Sequence, residues 1–68
     1  MTNIDYIYCE DNDVLNDELT YLIDNNHISA KSLEFYVKEL MIKLDINQCT
    51  IQYRIEEENY VTNLEIQL

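Results

Sequence analysis

Apolar and polar positions recur along the chain with two different periods, and these divide it into five segments. Residues 3–9, Asn-Ile-Asp-Tyr-Ile-Tyr-Cys, are rich in β-branched and aromatic side chains and predict a strand, at the edge or in the centre of a sheet. Simple alternation sets Ile4, Tyr6 and Tyr8 on one face and Asp5, Ile7 and Cys9 on the other. Glu10-Asp11-Asn12-Asp13 ends the strand. Asp11, Asn12 and Asp13 are all candidate helix caps, because a short side-chain oxygen reaches the free N–H groups of a first turn and negative charge suits its positive end.

A first helix is predicted from Asp13 to Asn25. Leu15, Leu19 and Leu22 follow the i, i+4, i+7 spacing of one helical face, and Ile23 widens the stripe. At about 100° per residue, Asp13, Asp17 and Asp24 gather on the other side. This helix reads as apolar on one face and acidic on the other, with no Lys or Arg of its own. Asn25-Asn26-His27-Ile28 connects it to a second helix, from about Ala30 to Leu44, for which Ser29 is a plausible cap. Leu33, Val37, Leu40, Met41 and Leu44 form its core stripe. Phe35 and Ile42 are seven residues apart, so they project together on the opposite side, near Lys31, Lys38 and Glu39.

The last third alternates with period two. Cys49, Ile51, Tyr53 and Ile55 oppose Thr50, Gln52, Arg54 and Glu56, and beyond Glu57-Glu58-Asn59, Tyr60, Thr62, Leu64, Ile66 and Leu68 oppose Val61, Asn63, Glu65 and Gln67. This predicts a β-hairpin with one buried face. The expected fold is α+β: a single small domain over residues 1–68 in the order strand-helix-helix-strand-strand, with two helices packed on a three-stranded antiparallel sheet.

Composition sharpens the picture at the turns. The 68 residues include neither Gly nor Pro. Backbone positions that need φ > 0 are therefore expected at Asn or Asp, the next most tolerant residues, within Asn25-Asn26, Asp45-Ile46-Asn47 and Glu58-Asn59. A chain this short buries only about 60% of the surface it exposes when unfolded, so its stability is marginal unless a partner or a second copy contributes.

Charge changes the picture most. Fourteen Asp and Glu stand against four Lys and Arg, a formal net charge of −10. Residues 1–27 hold Asp5, Glu10, Asp11, Asp13, Asp17, Glu18 and Asp24 with no basic residue; residues 28–47 hold three charges of each sign; residues 48–68 hold Glu56, Glu57, Glu58 and Glu65 against Arg54. Like charges at this density repel one another in the folded state, and a surface selected only for solubility intersperses both signs. The expectation is a field directed at a basic partner, with Asp13, Asp17, Glu18, Asp24, Glu56, Glu57 and Glu58 as its contacts. The same charge disfavours direct nucleic-acid binding, which needs Lys and Arg against phosphate. Two helices followed by a hairpin suggest a winged helix in outline, but the segment 28–47 that holds the second helix balances its three lysines with three acids.

Catalytic and metal chemistry finds little support. His27 is the sole histidine and sits at a helix end, where a capping or surface role is the simpler reading. Cys9 and Cys49 are forty positions apart, too few and too dispersed for a zinc site. Without a basic-then-apolar leader they read as reduced thiols in a cytoplasmic protein, as two small buried residues, with a disulfide left open. Asp11-Asn12-Asp13 lacks the central Gly and the twelfth-position Glu of a calcium loop. A phosphate-cradling loop needs Gly. No apolar run reaches the ~18 residues of a membrane span. The six tyrosines, Tyr6, Tyr8, Tyr21, Tyr36, Tyr53 and Tyr60, are explained as sheet and core-edge residues with hydroxyls in water, although Tyr also favours contact patches. No cofactor is expected.

In size, acidity, absence of Gly and Pro, and richness in Ile, Asn, Asp and Lys, the chain resembles small inhibitors encoded by phages and mobile elements, including anti-CRISPR and anti-restriction proteins. The likeness is one of composition, spans no alignable motif and carries over no functional residue. The expected function is non-enzymatic inhibition of a basic partner, a nuclease or other nucleic-acid-binding protein whose phosphate site the carboxylates mimic, or a basic toxin. The alternative is a structural or regulatory adaptor that works through the Phe35/Ile42 face while the acids keep it soluble. A homodimer through Phe35, Lys38, Glu39 and Ile42 is expected from the same apolar face, because the segment 28–47 that holds this helix has no net charge.

Overall fold

The hydrophobic periods become five elements in the computed structural model, which describes residues 3–68. They are β1 (Ile4–Cys9), α1 (Asp13–Asn25), α2 (Ala30–Leu44), β2 (Gln48–Ile55) and β3 (Thr62–Gln67). Strand β2 is central and pairs antiparallel with β1 on one side and β3 on the other, which leaves β1 at an edge. Both helices pack on one face of the sheet, giving the expected α+β order and a single core.

Side-chain caps do the work that Gly and Pro do elsewhere. Asn12 is extended and its Oδ1 accepts the Leu15 N–H at 2.9 Å, which starts α1. Asn16 Oδ1 accepts the Cys9 N–H at 2.9 Å, and Asp11 Oδ2 accepts the Thr50 N–H at 2.7 Å, so the acidic loop ties α1 and β2 to the end of β1. Ser29 occupies the cap position of α2 but makes no capping bond; its hydroxyl lies 3.0 Å from that of Ser32. Helix α2 ends with Asp45 left-handed at φ 59°. The Asp45 N–H donates to Ile42 O, and the Ile46 N–H donates to Met41 O at 2.8 Å. That is a Schellman closure with Asp where Gly is usual.

Two turn expectations are corrected. The second left-handed residue is Glu57, at φ 72°, rather than Glu58 or Asn59. The Glu58 N–H donates to Ile55 O at 3.1 Å, so Glu57 occupies the third position of a tight turn, where a type II turn requires φ > 0. Turn geometry, not residue tolerance, chose the position. Asn26 is extended at φ −143°, so the helix connection uses no left-handed residue there.

A third correction concerns β1. Ile4 pairs with Ile55 and Tyr6 with Arg54, so two steps on β1 match one on β2. The extra residue, Asp5, makes a bulge and rotates Ile4 onto the face of Ile7 and Cys9. All three are buried, while Tyr6 and Tyr8 lie on the outer face. The core gathers these residues with Leu15 and Leu19 of α1, Leu33, Val37 and Met41 of α2, and Cys49, Ile51 and Ile66 of the hairpin. Leu22, Ile23, Leu40 and Leu44, expected in the core stripes, are only half-buried at its margin. Tyr60, expected on the inner hairpin face, precedes β3 and is exposed.

Candidate functional site

The acidic side of α1 is fixed by what anchors its other side. Leu15 and Leu19 are fully buried, Asn12 caps the first turn, and Asn16 ties that turn to Cys9 of β1. The azimuth of the helix is therefore set, and Asp13, Asp17 and Asp24 face solvent, with Glu18 half-buried beside them. Among the described residues the ion pairs are Lys38–Glu34 at 3.0 Å and Arg54–Asp5 at 3.1 Å. Neither neutralises an α1 carboxylate. The only arginine is further held over the Tyr6 ring, 5.8 Å from its centroid, on the outer face of the sheet.

The hairpin acids form a different site. Glu56 Oε1 accepts the Asn3 N–H at 3.1 Å, and Glu58 Oε2 accepts the Tyr60 hydroxyl at 2.8 Å. That bond stabilises the neutral phenol and raises the Tyr60 pKa. Glu57 shapes the turn. Asn3 also bridges to Ser29, and Ile28 O accepts the Ile4 N–H, so the hairpin turn sits where the chain leaves α1. No hydrogen bond or ion pair joins the hairpin carboxylates to those of α1 among the described residues.

On α2, Phe35 is 61% and Ile42 68% exposed. The Phe35 ring meets the Tyr36 ring edge-to-face at 5.6 Å. Lys38 is engaged by Glu34 one turn before it, and Glu39 is exposed.

The outward side of α1 is not purely acidic. Val14 and Tyr21 are 57% and 68% exposed among the carboxylates. Their spacing of seven is the same signal that singled out Phe35 and Ile42, and it was legible in the sequence. Tyr21 and Glu18 together line two adjoining hollows. One, of about 350 Å³, lies between the helices and is completed by Leu22, Asn26, Tyr36, Glu39, Leu40 and Lys43. The other, more open, is completed by Val14 and Asp17. A groove walled by residues of both helices follows from their packing angle, which no residue pattern announces.

The cysteines sit inside. Cys9 and Cys49 are free and buried in the same core, and the Cys49 thiol donates to Met41 Sδ at 3.6 Å. Burial first, then the nearby Cys9 and the Asp11 carboxylate, push the Cys49 pKa up to about 11. A thiol held protonated is a poor nucleophile. His27 is exposed on the connection. Among the described residues no group of three or more His, Cys, Asp or Glu side chains is arranged to hold a metal ion, and no helix is long and apolar enough to cross a membrane.

Comparison of the chain with protein-family models, curated proteins and solved structures gave no match.

Proposed function

We propose that this protein is a non-enzymatic binder that presents the carboxylates of α1 to a basic surface on another protein and so blocks it. One observation carries the reading: Asp13, Asp17, Glu18 and Asp24 share one helix without an ion-pair partner among the described residues. Holding them together costs self-repulsion that a basic partner would relieve. At 1.5 Å per residue, Asp13 and Asp24 are about 16 Å apart along the axis, so the three intervals between the four acids average about 5.5 Å. A single strand of a DNA duplex carries one charge per about 3.4 Å. The acid row is sparser than a phosphate strand but of the same order, which supports a partner that ordinarily grips nucleic-acid phosphates, such as a nuclease; a basic toxin fits the same field.

The test is capture of host proteins on the immobilised chain, followed by mass spectrometry and by direct binding to what is recovered. A nuclease, nucleic-acid-binding protein or basic toxin is the expected catch, and it should be lost when Asp13, Asp17 and Asp24 are all changed to Lys. Binding should weaken as salt rises from about 50 to 500 mM, while the isolated fold gains stability over the same range because its own repulsion is screened. Recovery of neutral or acidic partners alone, or normal binding by the triple variant, overturns the reading.

The adaptor reading rests on a different observation, the exposure of Phe35 and Ile42 on a helix whose segment has no net charge. In that case Phe35→Asp with Ile42→Asp, and not the α1 reversal, abolishes partner capture.

A further inference from the structure

We propose that the groove between α1 and α2 is a seat for an arginine side chain of the basic partner, a specific contact within the general acidic field. The inference rests on the reading above and adds to it where the partner's most deeply inserted side chain goes.

The groove has the two components that a guanidinium needs. Tyr21 and Tyr36 bring aromatic rings to the lining from opposite helices, and Leu22 and Leu40 supply apolar walls for a methylene stem. Glu18 and Glu39 supply a carboxylate from each helix. A planar cation lying on an aromatic ring beside a carboxylate is attracted by the ring quadrupole and by the charge together. The volume of about 350 Å³ is at the lower end for small-ligand pockets, enough for one long side chain entering from an open side.

The protein already builds this arrangement once. On the outer sheet face its own Arg54 lies 5.8 Å from the centroid of Tyr6 and 3.1 Å from Asp5. The groove offers the same pair of surfaces with the cation left to come from outside. Lys43, on the groove lining, is not a substitute: it forms no ion pair among the described residues and stands one turn beyond Glu39. It is a weak competitor at the rim. The adjoining hollow of Val14 and Asp17 shares Glu18 and Tyr21 with the groove, so a chain delivering the arginine has a continuous path over the acidic side of α1.

The experiment is a titration of the isotope-labelled protein with acetyl-arginine-amide, followed by NMR, with the neutral isostere acetyl-citrulline-amide as control. Arginine should move amide signals of Glu18–Leu22 and Tyr36–Lys43 and the rings of Tyr21 and Tyr36; citrulline should not. Tyr21→Leu and Glu39→Gln, both at exposed positions, should each weaken binding by about two- to five-fold. Lys43→Gln should strengthen it. Arginine-induced shifts spread evenly over Asp13, Asp24 and Glu57, unchanged by the groove variants, would overturn the seat and leave the acidic-binder reading intact. Absence of shifts with both acetyl-arginine-amide and a hexa-arginine peptide would overturn both.

Discussion

The Cys49 thiol donates to Met41 Sδ at 3.6 Å, which joins the last turn of α2 to the start of β2 inside the core that also holds Cys9. Burial lifts the Cys49 pKa from 9.0 to about 11. Below pH 9 the thiol is protonated in the folded and unfolded chains alike, and the native environment loses nothing. Above pH 9 the unfolded chain releases the proton while the folded one holds it until about pH 11, so stability falls across that window. Urea midpoints measured from pH 8 to 11 should decline more steeply for the wild type than for Cys49→Ala, the comparison cancelling the ordinary titration of Tyr and Lys. Equal slopes would show that Cys49 is not desolvated. Iodoacetamide at pH 8 should label neither cysteine in the native protein and both in urea, read by mass.

Among the described residues Glu57 and Asp45 are the two left-handed ones, and they are not equivalent. The left-handed region costs an ordinary residue about 1–2 kcal/mol, while Asp relieves part of that through local hydrogen bonding. Gly removes the strain but adds freedom to the unfolded chain. Glu57→Gly should therefore raise stability by a net of about 0.5–1 kcal/mol. Asp45→Gly should gain less, and Glu57→Val should destabilise. Urea denaturation of the three variants gives the order directly. A destabilised Glu57→Gly would mean that the Glu57 side chain contributes something at the turn that its backbone angle does not reveal.

The order of elements and both helix spans were legible because they rest on local periodicity. Leu15, Leu19 and Leu22, and Leu33, Val37 and Met41, repeat at helical spacing whatever they pack against. The α1 cap was narrowed to Asp11, Asn12 or Asp13 for the same reason, since Asn12 acts within its own turn, whereas Ser29 stands at the cap position of α2 without a capping bond. What escaped depends on pairing between distant residues. The Asp5 bulge exists only in register with β2, so alternation alone put Ile4 on the wrong face. The central place of β2 is a property of the sheet and not of its sequence. The acidic side of α1 is legible, and so is the Val14–Tyr21 spacing, but only the approach of Tyr36 and Glu39 from α2 turns Tyr21 into the wall of a groove.

Two copies of the chain are expected to meet through α2. Phe35 and Ile42 remain more than half exposed, and the α2 segment is the one stretch whose acids and bases cancel. The outward face of α1 and the hairpin turn would each bring negative surfaces together. In a two-fold arrangement each copy supplies both side chains. Complete burial is worth about 1.5–3 kcal/mol per side chain, so the four contribute about 6–12 at most, less the part already buried. Association costs about 4–15 kcal/mol before any contact is counted. The two terms are of similar size, so a dimer formed this way is a weak one, and Lys38 has no large part in it, because Glu34 already holds it within the helix. Sedimentation equilibrium from roughly 10 to 500 µM should show mass rising from monomer toward dimer. Phe35→Asp with Ile42→Asp should stay monomeric at every concentration while keeping the wild-type circular dichroism spectrum, both positions being on the solvent side of α2. A wild type that stays monomeric throughout, or a dimer indifferent to the double substitution, removes α2 as the seam.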